Sequence, residues 1–182
     1  MELALFVIGS GILVYVSWTS LRQPRSHGFY RFFAWEAMLV LFLLNIDFWF
    51  RNPFAWHQIV SWMLLFASLV PLTFGVSALR SRGKPTANRE GDPSLLAFEK
   101  TTQLVTSGIY HYIRHPLYSS LLLLVWGIFF KLPSLAGLAV TAVATTFLLA
   151  TAQADENECV QFFGEEYRKY MKQTKRFIPF LF

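Results

Sequence analysis

Two short stretches of this chain carry most of the side chains that could do chemistry. Residues 108–118, GIYHYIRHPLY, set Tyr110, His111, Tyr112, Arg114 and His115 directly before an apolar run. Residues 154–158, ADENE, follow the next apolar run. Arg and His offer donors for an anion, whereas Asp155, Glu156 and Glu158 offer acceptors for a cation or for hydroxyl groups. Charge beside an apolar segment is costly unless paired or used, so both stretches are candidate functional sites. Pro116 restricts His115 before it, so the Arg-His pair sits at a defined start of a helix.

The elements that position these residues follow from the apolar runs. Hydrophobic residues make up 54% of the chain and the mean hydropathy is +0.41, too apolar for an ordinary soluble domain. Apolar segments at 3–21, 29–50, 57–79, about 113–130 and 134–152 predict five transmembrane helices, an all-α integral membrane protein. The fourth is short for a full crossing. The first lacks the basic start and small-residue cleavage site of a signal peptide. The turn Lys131-Leu132-Pro133-Ser134 makes the last two helices antiparallel, so the two polar stretches meet at one end.

Charge sets the orientation. All but two of the 16 basic residues fall in the segments after spans one, three and five or, for Arg31 and Arg114, in the first residues of the span that follows; the exceptions are Arg51 and Lys131. Five spans place those three segments on one face, which the positive-inside rule makes cytoplasmic. The N-terminus is then outside, and the C-terminus and both polar stretches are cytosolic. The net charge of +5 is explained by this topology and by anionic headgroups, so nucleic acid is not expected as a partner. The partners expected are membrane lipids and a lipophilic substrate; oligomeric state is not readable. The single cysteine, Cys159, excludes an intrachain disulfide and a cysteine-based metal site. The carboxylates come without imidazole partners in the sequence, so no metal is expected. A Gly-, Pro- and charge-rich stretch divides three front helices (residues 1–80) from a back part (104–182), with 81–103 as cytoplasmic linker.

Other polar residues have plainer readings. Glu36 and Asp47 share a face of span two. Asp47 reads as paired with Arg51 one turn on. Glu36 is deeper, has no local partner, and is the front residue expected to touch the polar head of a substrate. His57 reads as interfacial, and His27, in a basic loop, as solvated. The C-terminal stretch FFGEEYRKYMKQTKRFIPFLF reads as an amphipathic helix on the cytoplasmic leaflet, followed by a tail.

Taken in order, GIYHYIRHPLY, an antiparallel helix pair, acidic residues, and FFGEEYRKY with a closing RFIP resemble the isoprenylcysteine carboxyl methyltransferase family. The related phospholipid N-methyltransferases are similar in the same region. The resemblance covers about residues 104–179. It implies S-adenosylmethionine as cofactor, held in a cytoplasmic pocket between the RHP segment and the acidic segment. Carried onto this chain, it puts Gly108, Tyr110, Arg114, His115 and Tyr118 on one wall and Asp155 and Glu156 on the other. Arg114, His115 and Glu156 are the implied catalytic set. Arg114 and His115 suit the cofactor's carboxylate, Glu156 its ammonium or ribose hydroxyls, and Tyr110 and Tyr118 its sulfonium and adenine. Asp155 stands where the family often has Glu. Glu158 stands where an apolar residue is more usual and has no implied role.

The resemblance therefore implies methyl transfer to a lipophilic acceptor delivered through the membrane, either isoprenylcysteine-like or a phospholipid amine. A sterol-reductase-type enzyme using a nicotinamide cofactor is the competing enzymatic reading; the acidic segment and short chain count against it. A non-catalytic membrane protein that retained the fold is the third, disfavoured by the intact Arg114, His115 and Glu156.

Overall fold

The computed structural model describes residues 2–85 and 99–179, and among these every regular element is helical. Helix α1 spans Glu2–Val16, α2 Trp18–Leu21, α3 His27–Leu44, α4 Trp56–Arg82, α5 Pro116–Phe129, α6 Leu135–Phe163 and α7 Glu165–Gln173. Three of them, α3, α4 and α6, are long and apolar enough to cross a membrane; α1 and α5 are apolar but shorter.

Local chemistry sets the ends. Ser26 caps α3 by accepting from the Phe29 N–H at 3.1 Å, and Ser134 caps α6 through Gly137 N–H at 3.0 Å. Pro116 opens α5, where its missing N–H costs nothing. Gly164, at φ +62°, breaks α6 from α7 in a conformation that other residues resist.

Packing crosses the linker. Helix α3 lies mainly against α6, and α4 against α5. Ala34, Ala37 and Leu41 of α3 meet Ala144 and Leu148 of α6 in the main core, joined by Val125, Ile128 and Phe129 of α5. Small residues let these helices approach closely, which is where contact energy comes from in a lipid-facing bundle. Between α4 and α5, Ser61 Oγ donates to the Gly127 carbonyl at 2.6 Å, and a side chain on Gly127 would press on Leu65 at 2.9 Å.

Three sequence expectations change. The last span does not stop near Ala152: α6 runs on to Phe163, so the acidic stretch is helical and its faces are fixed by helix phase. His27 is not solvated; it is the first residue of α3 and only 1% exposed. The amphipathic C-terminal helix, α7, turns its apolar face inward, with Tyr167, Tyr170 and the following Thr174 buried against the protein. Its basic face is the one left outside. An aromatic stripe is as well satisfied by a protein surface as by a leaflet, and here an open cavity lies beneath it.

Candidate functional site

One end of the bundle holds a cavity of about 470 Å³, within the size range of small-molecule sites. The start of α3, the end of α4, the start of α5, the last turns of α6 and one face of α7 converge on it. Its polar wall includes His27, Glu99, Arg114, His115, Asp155 and Glu158. Tyr110, Tyr118, Tyr167 and Tyr170 supply aromatic faces, and Leu79, Leu104, Val105, Leu117 and Phe163 an apolar side.

Behind this wall stands a carboxylate hub. Glu156 is 1% exposed and does not line the cavity. Its Oε1 accepts from Arg114 Nε at 2.9 Å and Arg176 Nε at 3.0 Å, and lies 3.2 Å from His115 Nε2. Its Oε2 accepts from Arg176 Nη2 at 2.6 Å. Arg114 also donates through Nη1 to the Met171 carbonyl at 3.3 Å and to that of Thr174. Asp155, one residue earlier, faces the cavity instead and lies 3.4 Å from His115 Nδ1. His115 is thus held between two carboxylates, one structural and one facing the space where a ligand would sit.

The chain after α7 completes the clamp. Lys175 and Arg176 run beside residues 112–115: Arg114 N–H donates to Lys175 O at 2.8 Å, and His115 N–H to Arg176 O at 3.1 Å. Ser119 Oγ donates to Phe177 O at 2.9 Å, and Phe177 packs with Tyr118 and Ala152. The RFIP segment at the end of the sequence motif is therefore the strap that fixes the RHP segment. The hydrogen bond and charge of Glu156 hold Arg176 above the usual guanidinium range.

The tyrosines act as donors and walls. Burial pushes the Tyr110, Tyr167 and Tyr170 phenols above their ordinary value, so they stay protonated. Tyr170 Oη donates to the Tyr110 carbonyl at 2.6 Å, tying α7 over the cavity.

Of the residues singled out in the sequence, Tyr110, Arg114, His115, Tyr118 and Asp155 are together on the cavity wall. Glu156 is beside them but behind the wall. Gly108 is exposed at a turn with φ +69°, where a side chain would meet Arg82 at 3.0 Å, so its part is the turn itself. Glu36 lies along α3 away from this wall. Ser10 Oγ of α1 donates to its Oε2 at 2.8 Å, while its Oε1 is buried with no hydrogen-bond partner among the described residues.

Two further cavity residues are Glu99, which the sequence reading did not single out, and Glu158, to which it gave no role. Glu99, near the end of the linker, pairs with Arg31 of α3 at 2.9 Å. Glu158 binds His27 twice: its Oε1 accepts from the backbone N–H at 2.7 Å and its Oε2 meets ring Nδ1. His27, Asp155 and Glu158 bring one ligand atom each to within 4.8 Å of one another, a spacing that could receive a cation. In the arrangement present, both Glu158 oxygens are engaged by His27. No sequence spacing could link residues 131 positions apart; only the pairing of α3 with α6 does so.

Comparison with known proteins gives a consistent picture. A family model described as phospholipid methyltransferase matches residues 92–167. A methanethiol S-methyltransferase of Crocosphaera subtropica is 34% identical over 76 residues, 42% of this chain and 29% of that protein. A probable protein-S-isoprenylcysteine O-methyltransferase of Oryza sativa subsp. indica is 30% identical over 122 residues, 66% of this chain and 63% of that protein. The protein-S-isoprenylcysteine O-methyltransferase of Homo sapiens is 28% identical over 143 residues, 75% of this chain and 48% of that protein. The chain thus spans between about a third and two thirds of the length of these relatives.

Proposed function

We infer that this chain, which over part of its length is similar to the phospholipid and isoprenylcysteine carboxyl methyltransferases, transfers a methyl group from S-adenosylmethionine to a lipophilic acceptor that arrives through the bilayer. The observation that carries this reading is the cavity, where carboxylates, an Arg-His pair and four tyrosine rings face one space.

The donor set fits the cofactor. Asp155, oriented by His115, suits its ammonium, and the rings of Tyr110 and Tyr118 a sulfonium. When bound, S-adenosylmethionine supplies an already activated methyl group. What remains for the chain is to align the acceptor and exclude water. Tyr167 and Tyr170 of α7 cover the cavity. Arg114 and Glu156 act one step behind, holding His115, the strap and α7 in register. Glu36, inside the bundle, contacts the acceptor's polar head.

The same reading places five helices across the membrane, with the N-terminus outside and the cavity and C-terminus at the cytosolic face. Cofactor then comes from the cytosol and acceptor from lipid. Reporter fusions after Lys131 and after Phe182 should give opposite signals; matching signals would remove the crossing hairpin formed by α5 and α6.

Calorimetry on the purified protein in lipid nanodiscs tests the function directly. Binding of S-adenosylmethionine, with none of NADPH, is the expected result. Binding of NADPH alone would transfer the chain to the reductase reading.

A further inference from the structure

The walls of the cavity are tied in different ways. Helices α3, α5 and α6 pack on one another. Hydrogen bonds to backbone carbonyls hold α7 and the strap to the RHP segment. Residues 99–105 form a further wall, bringing Glu99, Thr101, Leu104 and Val105 to the cavity. One side of this segment is fixed to the end of α4. The N–H groups of Thr102 and Gln103 donate to the Gly83 carbonyl at 3.0 and 3.3 Å, and Thr102 Oγ1 donates to Lys84 O at 3.0 Å. Val105 packs with Ala78 and Tyr110 beside them. On its other side the segment reaches α3 through Glu99, whose two oxygens accept from Arg31 Nη1 at 3.1 and 2.9 Å. Helices α3 and α4 themselves pack mainly on different partners, α6 and α5, so this ion pair crosses the mouth between them.

We propose that Arg31 is a positioning residue of the cofactor site: with Glu99 it latches residues 99–105 across the gap between α3 and α4, and so sets how fast S-adenosylmethionine enters and leaves. The proposal rests on the methyltransferase reading. Arg31 stands behind Glu99, outside the cavity lining. It is 4% exposed and one turn inside an apolar helix, a costly place for a guanidinium. Packing of α3 does not call for it, since Ala34, Ala37 and Leu41 make the contact with α6. Its guanidinium lies over the ring of Trp35, 4.9 Å from the centroid, which orients its donors towards the carboxylate. Opening parts the Arg31–Glu99 contact while the backbone ties to Gly83 and Lys84 remain as the hinge.

A latch and a binding contact differ in kinetics. A latch that is closed in both the free and the loaded protein slows entry and exit by the same factor, so it changes rates and leaves affinity alone. A group that touches the cofactor changes dissociation and affinity together.

Rapid filtration with radiolabelled S-adenosylmethionine, on protein in nanodiscs, gives both rate constants. Arg31→Met, which keeps an apolar stem, should raise the association and dissociation rates together by about ten- to a hundredfold, the factor expected for one charge-assisted contact. The Kd should stay within about threefold of wild type. Arg31→Lys, which keeps the charge without the planar fork, should fall between the two. Arg31→Met alone leaves Glu99 without this partner and lowers the melting temperature; adding Glu99→Gln removes both charges, should restore the melting temperature, and should keep both rates fast. Faster dissociation with unchanged association, and so weaker affinity, would make the pair a direct cofactor contact and overturn the latch. Unchanged rates in the doubly substituted protein would make the pair a plain structural tie and also overturn it. Wild-type protein that binds no S-adenosylmethionine would overturn both the latch and the methyltransferase reading.

Discussion

The two ends of this bundle both bury charge, and they do it in opposite ways. At the end away from the cavity, Lys131 in the turn between α5 and α6 is completely buried. Its ammonium donates to Gln58 Oε1 at 3.1 Å and to Trp49 O at 3.4 Å, and sits 3.5 Å over the ring of Trp62. Gln58 in turn donates to the Phe48 and Lys131 carbonyls at 2.8 and 3.0 Å. One charge is caged by neutral dipoles and rings, and it joins the α3–α4 and α5–α6 turns. At the cavity end, Arg114, His115 and Arg176 share a single carboxylate, and Asp155 lines an open space beside them. Structural cost alone explains the first arrangement. The second holds more charge than closing the bundle requires, and the surplus faces the cavity, as a ligand site demands.

This contrast fails first at Glu156. Removing its charge strands two guanidinium groups and an imidazole in a poorly hydrated corner. Glu156→Gln should cost roughly 3–5 kcal/mol of stability, the scale for breaking a buried ion pair, and should loosen the strap and α7. Thermal melting in detergent, with proteolysis after α6, measures this. A stable variant that has lost only cofactor affinity would return Glu156 to the binding wall.

Asp155→Asn is the next largest effect and should separate the two roles. Loss of one charge-assisted contact to the cofactor should weaken S-adenosylmethionine binding by about 1.5–3 kcal/mol, roughly ten- to a hundredfold. The melting temperature of the free protein should change little. Calorimetry gives the affinity, and a large drop in melting temperature with unchanged affinity would make Asp155 part of the clamp.

The pair Asp155 and Glu156 also shows what could be read from sequence. The acidic stretch, the RHP segment and their convergence were legible, because apolar runs and a short turn leave the hairpin little choice. Which carboxylate faces the cavity was not. Adjacent residues on a helix point about 100° apart, and the phase of the acidic stretch follows only from α6 running on past Ala152, which the apolar pattern does not show. The same limit hid His27. A histidine in a basic loop looks solvated until α3 is known to lie along α6 and bring Glu158 to it. Tyr167 and Tyr170 were visible as an aromatic stripe, but a stripe does not say whether lipid or protein covers it.

Lys131 tests the other end. Lys131→Met keeps the length and apolar stem but leaves Gln58 Oε1 without its donor. The expected cost is about 1–3 kcal/mol, with cofactor affinity untouched. Burial lowers this amine to about 8. The unfolded chain therefore holds a proton that the folded chain has released between about pH 8 and the ordinary lysine value, so the contribution of Lys131 to stability rises with pH across that window and is lost as pH falls through it. Wild type should gain on Lys131→Met as pH rises from 8 towards 10 in denaturant melts. A difference that stays flat would mean that the tryptophan rings hold the ammonium charged.

Between the two ends lies Glu36, the smallest expected effect and the one that decides where the acceptor runs. Its Oε2 accepts from Ser10 and so ties α1 to α3. Its Oε1 is buried without a hydrogen-bond partner among the described residues. A carboxylate so placed inside an apolar helix is costly if packing is its whole purpose. If it meets the acceptor's polar head, Glu36→Ala should reduce turnover severalfold at saturating cofactor while cofactor affinity holds, the signature of a contact made on the acceptor side. Glu36→Gln, which retains an oxygen for Ser10, separates the roles. Restored turnover in Gln would mean that joining α1 to α3 is what matters, whereas continued loss would place the charge itself on the acceptor's path. Loss of cofactor binding in either variant would mean that the middle of the bundle and the cavity end are one cooperative unit.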